Sequence, residues 1–353
     1  MIDTNTRALP IAIASLLLAG LAGSGVLAKP AADPGYSIVS RWTIGGPGGW
    51  DYLTIDSPRH RLFISRGDHV DVLDVETGKV IGRIADTQGV HGIALAPDRK
   101  RGYTSNGRAN SITEFEYGSL AVLRTVPVPG QNPDAILYER LGNHLFTFNG
   151  SSRDATVFDA TTLAVVAQIT MPGKPEFARE DGRGHVYVNI ETVPGQLVRI
   201  DSKWLAIDAT WPLPGCARPT GLALDRTHAR LFSVCDAQVM AVTDANTGTQ
   251  VAQVTIGAGP DAAAFDAGHG LVFSSNGEGT LTVVQQDSPD RYHVAATLAT
   301  QRGARTMAFD DVSRRVYLVT AEFGAAPAAA PEQPNPRPTQ VPDTFTVLVA
   351  QPR

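Results

Sequence analysis

Only two cysteines, Cys216 and Cys235, occur in 353 residues. They are too few for a disulfide-built scaffold or a four-cysteine zinc site, and no CxxCH haem attachment is present. Lysine is almost as scarce: it stands only at positions 29, 79, 100, 174 and 203, so 25 of the 30 cations are arginine, and 35 acidic residues leave a net charge of −5. That balance argues against a polybasic nucleic-acid or membrane-surface binder. No GxSxG elbow, P-loop or dinucleotide-type glycine pattern occurs, which leaves serine-nucleophile, phosphoryl-transfer and Rossmann chemistry without support. Helical periodicity never runs uninterrupted for several turns. Instead, 34 Gly and 24 Pro fall in short clusters between apolar runs, and hydrophobic residues make up 43 %, enough for a full core. The chain reads as all-β.

The first 28 residues look like an address. A weakly cationic start with Arg7 leads into the apolar run Ala8 to Leu21, then into small residues ending Val26-Leu27-Ala28. Val26 at −3 and Ala28 at −1 suit signal-peptidase cleavage after Ala28. The competing reading is a retained anchor, but the run is shorter than the roughly 20 residues needed to span a bilayer. No cysteine lies near the cut, so lipidation is not open to it. The mature chain from Lys29 is expected to be periplasmic or secreted, in an oxidising compartment and without stable membrane insertion.

Self-comparison reveals a repeat: a turn with Asp or Pro, a basic residue, then an aromatic leading a strand. The aromatics are Phe63, Tyr103, Phe146, Tyr187, Phe232, Phe273 and Tyr317, spaced by 40, 43, 41, 45, 41 and 44 residues. Seven units of that length suit four short strands each, the period of a propeller blade. In the first unit the strands read Leu53 to Asp56, Leu62 to Ser65, Val70 to Asp74 and Val80 to Ile84. The last unit runs out of chain after its third strand, Phe345 to Ala350, while Ile38 to Ile44 precedes the first unit and resembles a fourth strand. The N-terminal strand is therefore expected to complete the seventh blade and remove two exposed sheet edges. The stretch 325–342, rich in Pro and Ala, is expected as a mobile loop inside blade seven of one domain spanning 29–353.

Two motifs carry a family likeness: Tyr103-Thr104-Ser105-Asn106, echoed in Tyr187-Val188-Asn189, and Val72-Leu73-Asp74-Val75-Glu76-Thr77-Gly78-Lys79-Val80. They resemble the YVTN-repeat β-propellers, and among them the exported YncE-like proteins. The likeness covers the mature chain and implies a fold more than a function, because this repeat occurs in binding proteins, scaffolds and enzymes alike. The Asn position departs to Arg66, Cys235 and Thr320 in units one, five and seven.

On a propeller, the loops leading into each inner strand gather around one mouth of the channel, where ligands usually bind. Counting twelve back from each aromatic gives Asp51, His91, Asp134, Pro175 (with Glu176 next), Thr220, Asp261 and Arg305. Blades one to four thus contribute an arc of Asp51, His91, Asp134 and Glu176. Its bland reading is that such side chains accept backbone N–H bonds in their own turns. Its functional reading is a ligand site or, as the one cofactor in view, a divalent metal ion held by these four residues. Arg66, Arg218 and Arg305 lie on loops of the same face, with Trp50, Tyr52, Phe177 and Phe323 nearby, a combination suited to anionic or sugar-like ligands. Tyr52 and Phe177 also read as wedges between blades.

The leading expectation is an exported, non-catalytic, monomeric propeller that binds a small molecule or an envelope protein at this mouth. The alternative is a lactonase-like or other metal-assisted hydrolase using the Asp/His/Glu arc. A disulfide between Cys216 and Cys235 is expected, since one hairpin returns both to the same rim; two free thiols are the competing reading.

Overall fold

The computed structural model describes residues 1–2, 35–325 and 338–353. The expected cleavage site after Ala28 and residues 326–337 of the expected loop lie outside the described residues. Seven four-stranded antiparallel sheets follow one another along the chain, and six of them are built from four consecutive strands. The seventh is completed from the other terminus. Its inner strands are Met307–Asp310, Arg315–Thr320 and Thr346–Pro352, and Tyr36–Thr43 pairs with the last of these from Tyr36 opposite Pro352 to Thr43 opposite Thr346. The protein is thus a seven-bladed, nearly all-β propeller closed by its N-terminal strand, with the closing strand two residues earlier at its start than the sequence pattern suggests.

The repeat motifs have physical jobs in this ring. All seven repeat aromatics are 0–2 % exposed and fill the seams between blades. Burying each is worth roughly 1.5–3 kcal/mol. Where the aromatic is tyrosine at positions 103 and 187, its hydroxyl donates to a carbonyl of the next blade, Ala160 at 3.0 Å and Ala245 at 3.2 Å. The aliphatic-Asp-x-x-Thr pattern closes the outer hairpin: the Asp74 carboxylate accepts the N–H groups of Glu76 and Thr77 at 3.2 and 2.8 Å, and Asp159 repeats this with Thr161 and Thr162. The Asn that ends the second strand is a side-chain staple, donating in Asn106 to Ser111 and Thr113 at 3.1 and 2.9 Å.

Each departure from that Asn serves another purpose. Cys235 is bridged to Cys216 across 5.3 Å between Cα atoms, so the expected disulfide is present and the free-thiol reading falls. Thr320 donates to the Arg302 carbonyl at 2.7 Å. Arg66 lies in the closing seam, only 1 % exposed. It pairs with Asp71 at 3.3 Å, donates to the Gly45 and Pro47 carbonyls, both at 3.1 Å, and stacks 3.7 Å over the Phe345 ring. The guanidinium therefore joins blade one to both chain ends of blade seven.

Candidate functional site

The starts of the inner strands and the loops just before them build a ring of Asp51, His91, Asp134, Glu176, Thr220, Asp261 and Arg305 around a cup of about 380 Å³. Small hydroxyls hold the ring in place. Ser65 accepts the Asp51 N–H at 3.0 Å, Ser105 donates to the Asp134 carbonyl at 2.8 Å, and Thr220 donates to the Pro260 carbonyl at 3.0 Å. The last two bonds tie a strand of one blade to the start of its neighbour's inner strand, so the spacing of the ring is set by the repeat itself.

In blade four, Glu176 occupies the ring position and Pro175 is buried. The cause is a turn one residue shorter than usual. Tyr187 lies six positions after Asp181, whereas Phe232 and Phe273 lie seven positions after Asp225 and Asp266. Asp181 closes the short turn by accepting the N–H groups of Arg183 and His185 at 2.7 and 3.0 Å.

Three members of the predicted arc converge. His91 Nδ1 stands 2.5 Å from Asp51 Oδ2 and 3.5 Å from Asp134 Oδ1, and one ligand atom from each residue lies within 4.8 Å of the others. Burial disfavours the His91 imidazolium, but the hydrogen bond to Asp51 and the charges of Asp134 and Asp51 outweigh it and raise its pKa. Burial also raises Asp134, opposed by His91 and reinforced by Asp51. The fourth member, Glu176, is drawn away by the Lys174 ammonium, which also holds Glu191 at 2.7 Å. Burial and the charge of Asp134 push Glu176 up to about 9, while Glu191, although burial raises it, is held below its ordinary value by its interactions with Glu176 and Lys174. Asp261 faces Arg305 at 3.3 Å, yet burial takes it up to about 7.

Lys174 and Glu191 were not legible as site residues. They are paired across the first two strands of blade four, and Glu191 reaches the cup because the second strand, His185–Glu191, runs one residue beyond the usual Asn end. Among the other candidates, Arg218 is exposed on the rim and pairs with Asp236 at 2.8 Å. Trp50 packs in the closing seam, 5.3 Å from Phe345 and 6.2 Å from Phe323 between ring centroids, outside the cup. Arg66, buried in the same seam, offers the cup nothing.

One layer deeper the ring reads Tyr52, Gly92, Ala135, Phe177, Gly221, Ala262 and Thr306. Gly92 and Gly221 are required by close backbone approach, since a Cβ at Gly221 would lie 2.7 Å from the backbone of blade six. The space left by these small residues is filled by Tyr52 and Phe177, whose rings meet across the channel at 5.1 Å. They are therefore a constriction in the channel itself, not wedges between blades.

Among solved structures, two similar ones are entitled "Structure of U3-55K" and "Kuenenia stuttgartiensis Hydrazine Synthase". The first has TM-score 0.70 and 11 % identity, covering 89 % of this chain and 98 % of that one. The second has TM-score 0.67 and 16 % identity, covering 83 % and 96 %. At such identities both speak for the fold alone. No curated protein matches the sequence. Residues 50–178 match the YNCE-like beta-propeller family, so over that stretch this seven-bladed propeller is similar to the family.

Proposed function

We propose that the protein is an exported, non-catalytic binding propeller whose cup takes a small cationic molecule. One observation carries the reading: six carboxyls, Asp51, Asp134, Glu176, Glu191, Asp236 and Asp261, line the cup against two permanent cations of its wall, Lys174 and Arg305, and burial and mutual crowding raise Asp134, Glu176 and Asp261 so that protons partly stand in for missing positive charge. A ligand bringing positive charge would relieve that crowding, and a cup of about 380 Å³ suits a small molecule or a single inserted side chain. An envelope protein would accordingly reach it through a lysine. The disulfide and the YNCE-like family suit export, and the acidic mouth would repel nucleic acid.

The convergence of Asp51, His91 and Asp134 favours a second reading, a divalent metal centre serving hydrolysis. These three side chains would hold the ion, which when bound would polarise a carbonyl or acidify water. Two measurements on protein purified without chelator separate the readings: metal content, and calorimetric titration with 1,4-diaminobutane. The binding reading expects saturable diamine binding, weakened at least tenfold by Asp134→Asn, and no stoichiometric metal. One divalent ion per chain, lost in His91→Ala, would move the assignment to the metal centre. Absence of both would overturn the cup as a binding site.

A further inference from the structure

Beyond the Tyr52–Phe177 constriction the channel widens into a second cavity of about 860 Å³ towards the opposite mouth. Every blade contributes to it the inner-strand residue paired with its repeat aromatic. In six blades that residue is Thr54, Ala94, Leu137, Ala223, Ala264 or Ala308; in blade four it is Arg179, opposite Tyr187. The small side chains create the volume, and Ile55, Leu95, Phe265 and Phe309 make the adjoining wall apolar. Arg179 is thus the single charge in a ring that the repeat otherwise keeps uncharged.

Among the described residues no ion pair answers that charge. Among the described residues, the Arg179 side chain makes no ion pair and no hydrogen bond; its guanidinium carbon stacks 4.3 Å from the Phe177 ring centre. The adjacent carboxylate, Glu180, is held by Arg226 at 2.6 Å, and Arg226 also donates to the Glu180 carbonyl at 2.8 Å. Of the other acids in the wall, Asp56 is engaged by Arg61 at 2.7 Å and by Tyr117 at 2.5 Å, and Asp311 is exposed at the mouth. Burial, reinforced by the charge of Arg226, lowers the Arg179 pKa to about 10, which still leaves it cationic at neutral pH. A cation in an apolar wall is costly without a counter-charge.

We propose that this cavity binds a small apolar molecule carrying one carboxylate. The planar guanidinium of Arg179, oriented by Phe177, grips the carboxylate with two parallel N–H donors, and the aliphatic and aromatic wall covers the rest of the ligand. The site is separate from the acidic cup, of opposite charge and on the other side of the constriction, so it stands or falls independently of the cation-binding reading.

Octanoate is the probe, and 1-octanol, of the same chain length without the charge, is its control. Titrated into the full mature protein, octanoate should raise the melting temperature in a saturable way and octanol should not. Arg179→Gln should weaken octanoate at least tenfold, while Arg183→Gln, at an exposed turn arginine, should leave it unchanged. Should Arg179→Gln fold poorly, phenylglyoxal labelling of the wild type, mapped by peptide mass, replaces it: octanoate should shield Arg179 from the reagent. The proposal is overturned if octanoate at millimolar concentration produces neither shift nor shielding, if octanol binds as well, or if folded Arg179→Gln binds octanoate like the wild type.

Discussion

The two halves of the channel are lined by the same seven strands, yet one is a crowded polar cup and the other a more apolar chamber in which Arg179 is the one cation without an ion-pair partner among the described residues. The cup belongs to residues just before or at the start of each inner strand, where a loop imposes little on side-chain type. Its ring accordingly carries Asp, His, Glu, Thr and Arg. The chamber belongs to strand interiors, where the residue paired with each repeat aromatic is mostly small and uncharged, as at Ala94, Ala223, Ala264 and Ala308. A charge in the first ring is what the fold permits, whereas a charge in the second, at Arg179, is something the packing does not ask for. Position in the repeat therefore sets how much a polar residue tells about function.

The halves also differ in how their rims are held, and the largest expected effect comes from breaking that difference. The cup side carries the Cys216–Cys235 bridge, 19 residues apart, and the two cysteines are the only ones in the chain, so the opposite mouth has none. The double substitution Cys216→Ser, Cys235→Ser should cost roughly 3 kcal/mol in the chain-entropy picture. Urea unfolding with and without reductant measures it: the wild type in reductant should match the double variant. Equal stability of all four samples would mean that the bridge does not constrain the unfolded chain.

Phe177→Ala tests the partition itself. Removing one of the two rings in contact at 5.1 Å should cost about 2 kcal/mol and join the cup to the chamber. Because each ring is the other's partner, the Tyr52→Ala, Phe177→Ala double variant should lose clearly less than the sum of the singles. Strict additivity in a double-mutant cycle would show that the rings stabilise their own blades and form no joint barrier.

How far these features were legible follows the same division between loop and strand. The blades could be counted because seven aromatics recur at near-constant spacing, and each is buried in a seam between blades. The ring closure was legible because the last unit lacks a fourth strand. The cup could be found by counting back from the aromatics, except in blade four, where the short Asp181–His185 turn shifts the register and puts Glu176 where the count lands on Pro175. Arg66 and Trp50 misled because nearness along the chain to the mouth loops says nothing about depth, and the closing seam draws both inward. Lys174 and Glu191 depend on cross-strand pairing, and Arg179 on which residue faces each aromatic. Both are properties of register, which a one-residue slip in a strand inverts.

The third comparison concerns protonation within the cup, and its sign can be worked out. Glu176 has a pKa of about 9 in the folded protein because burial and Asp134 oppose its charge, while in the unfolded chain it titrates at about 4.3. Between these values the folded protein keeps a proton that the unfolded chain has lost, so this group makes stability fall as pH rises from about 4 towards 9, by at most about 1.4 kcal/mol per pH unit. Glutamine mimics the protonated acid: its carbonyl can accept from Lys174 and its amide can donate to Glu191. Glu176→Gln should thus come close to the wild type at pH 4, where both states of the wild type still carry most of the proton, and exceed it by a growing margin at pH 6, 7 and 8. Melting temperatures across that range check the claim. The far chamber supplies the contrast, because Arg179 stays charged throughout the range, so Arg179→Gln should shift the melting temperature by the same amount at every pH. Parallel curves for Glu176→Gln and wild type would show that Glu176 is ionised in the folded cup, with Lys174 neutralising it fully.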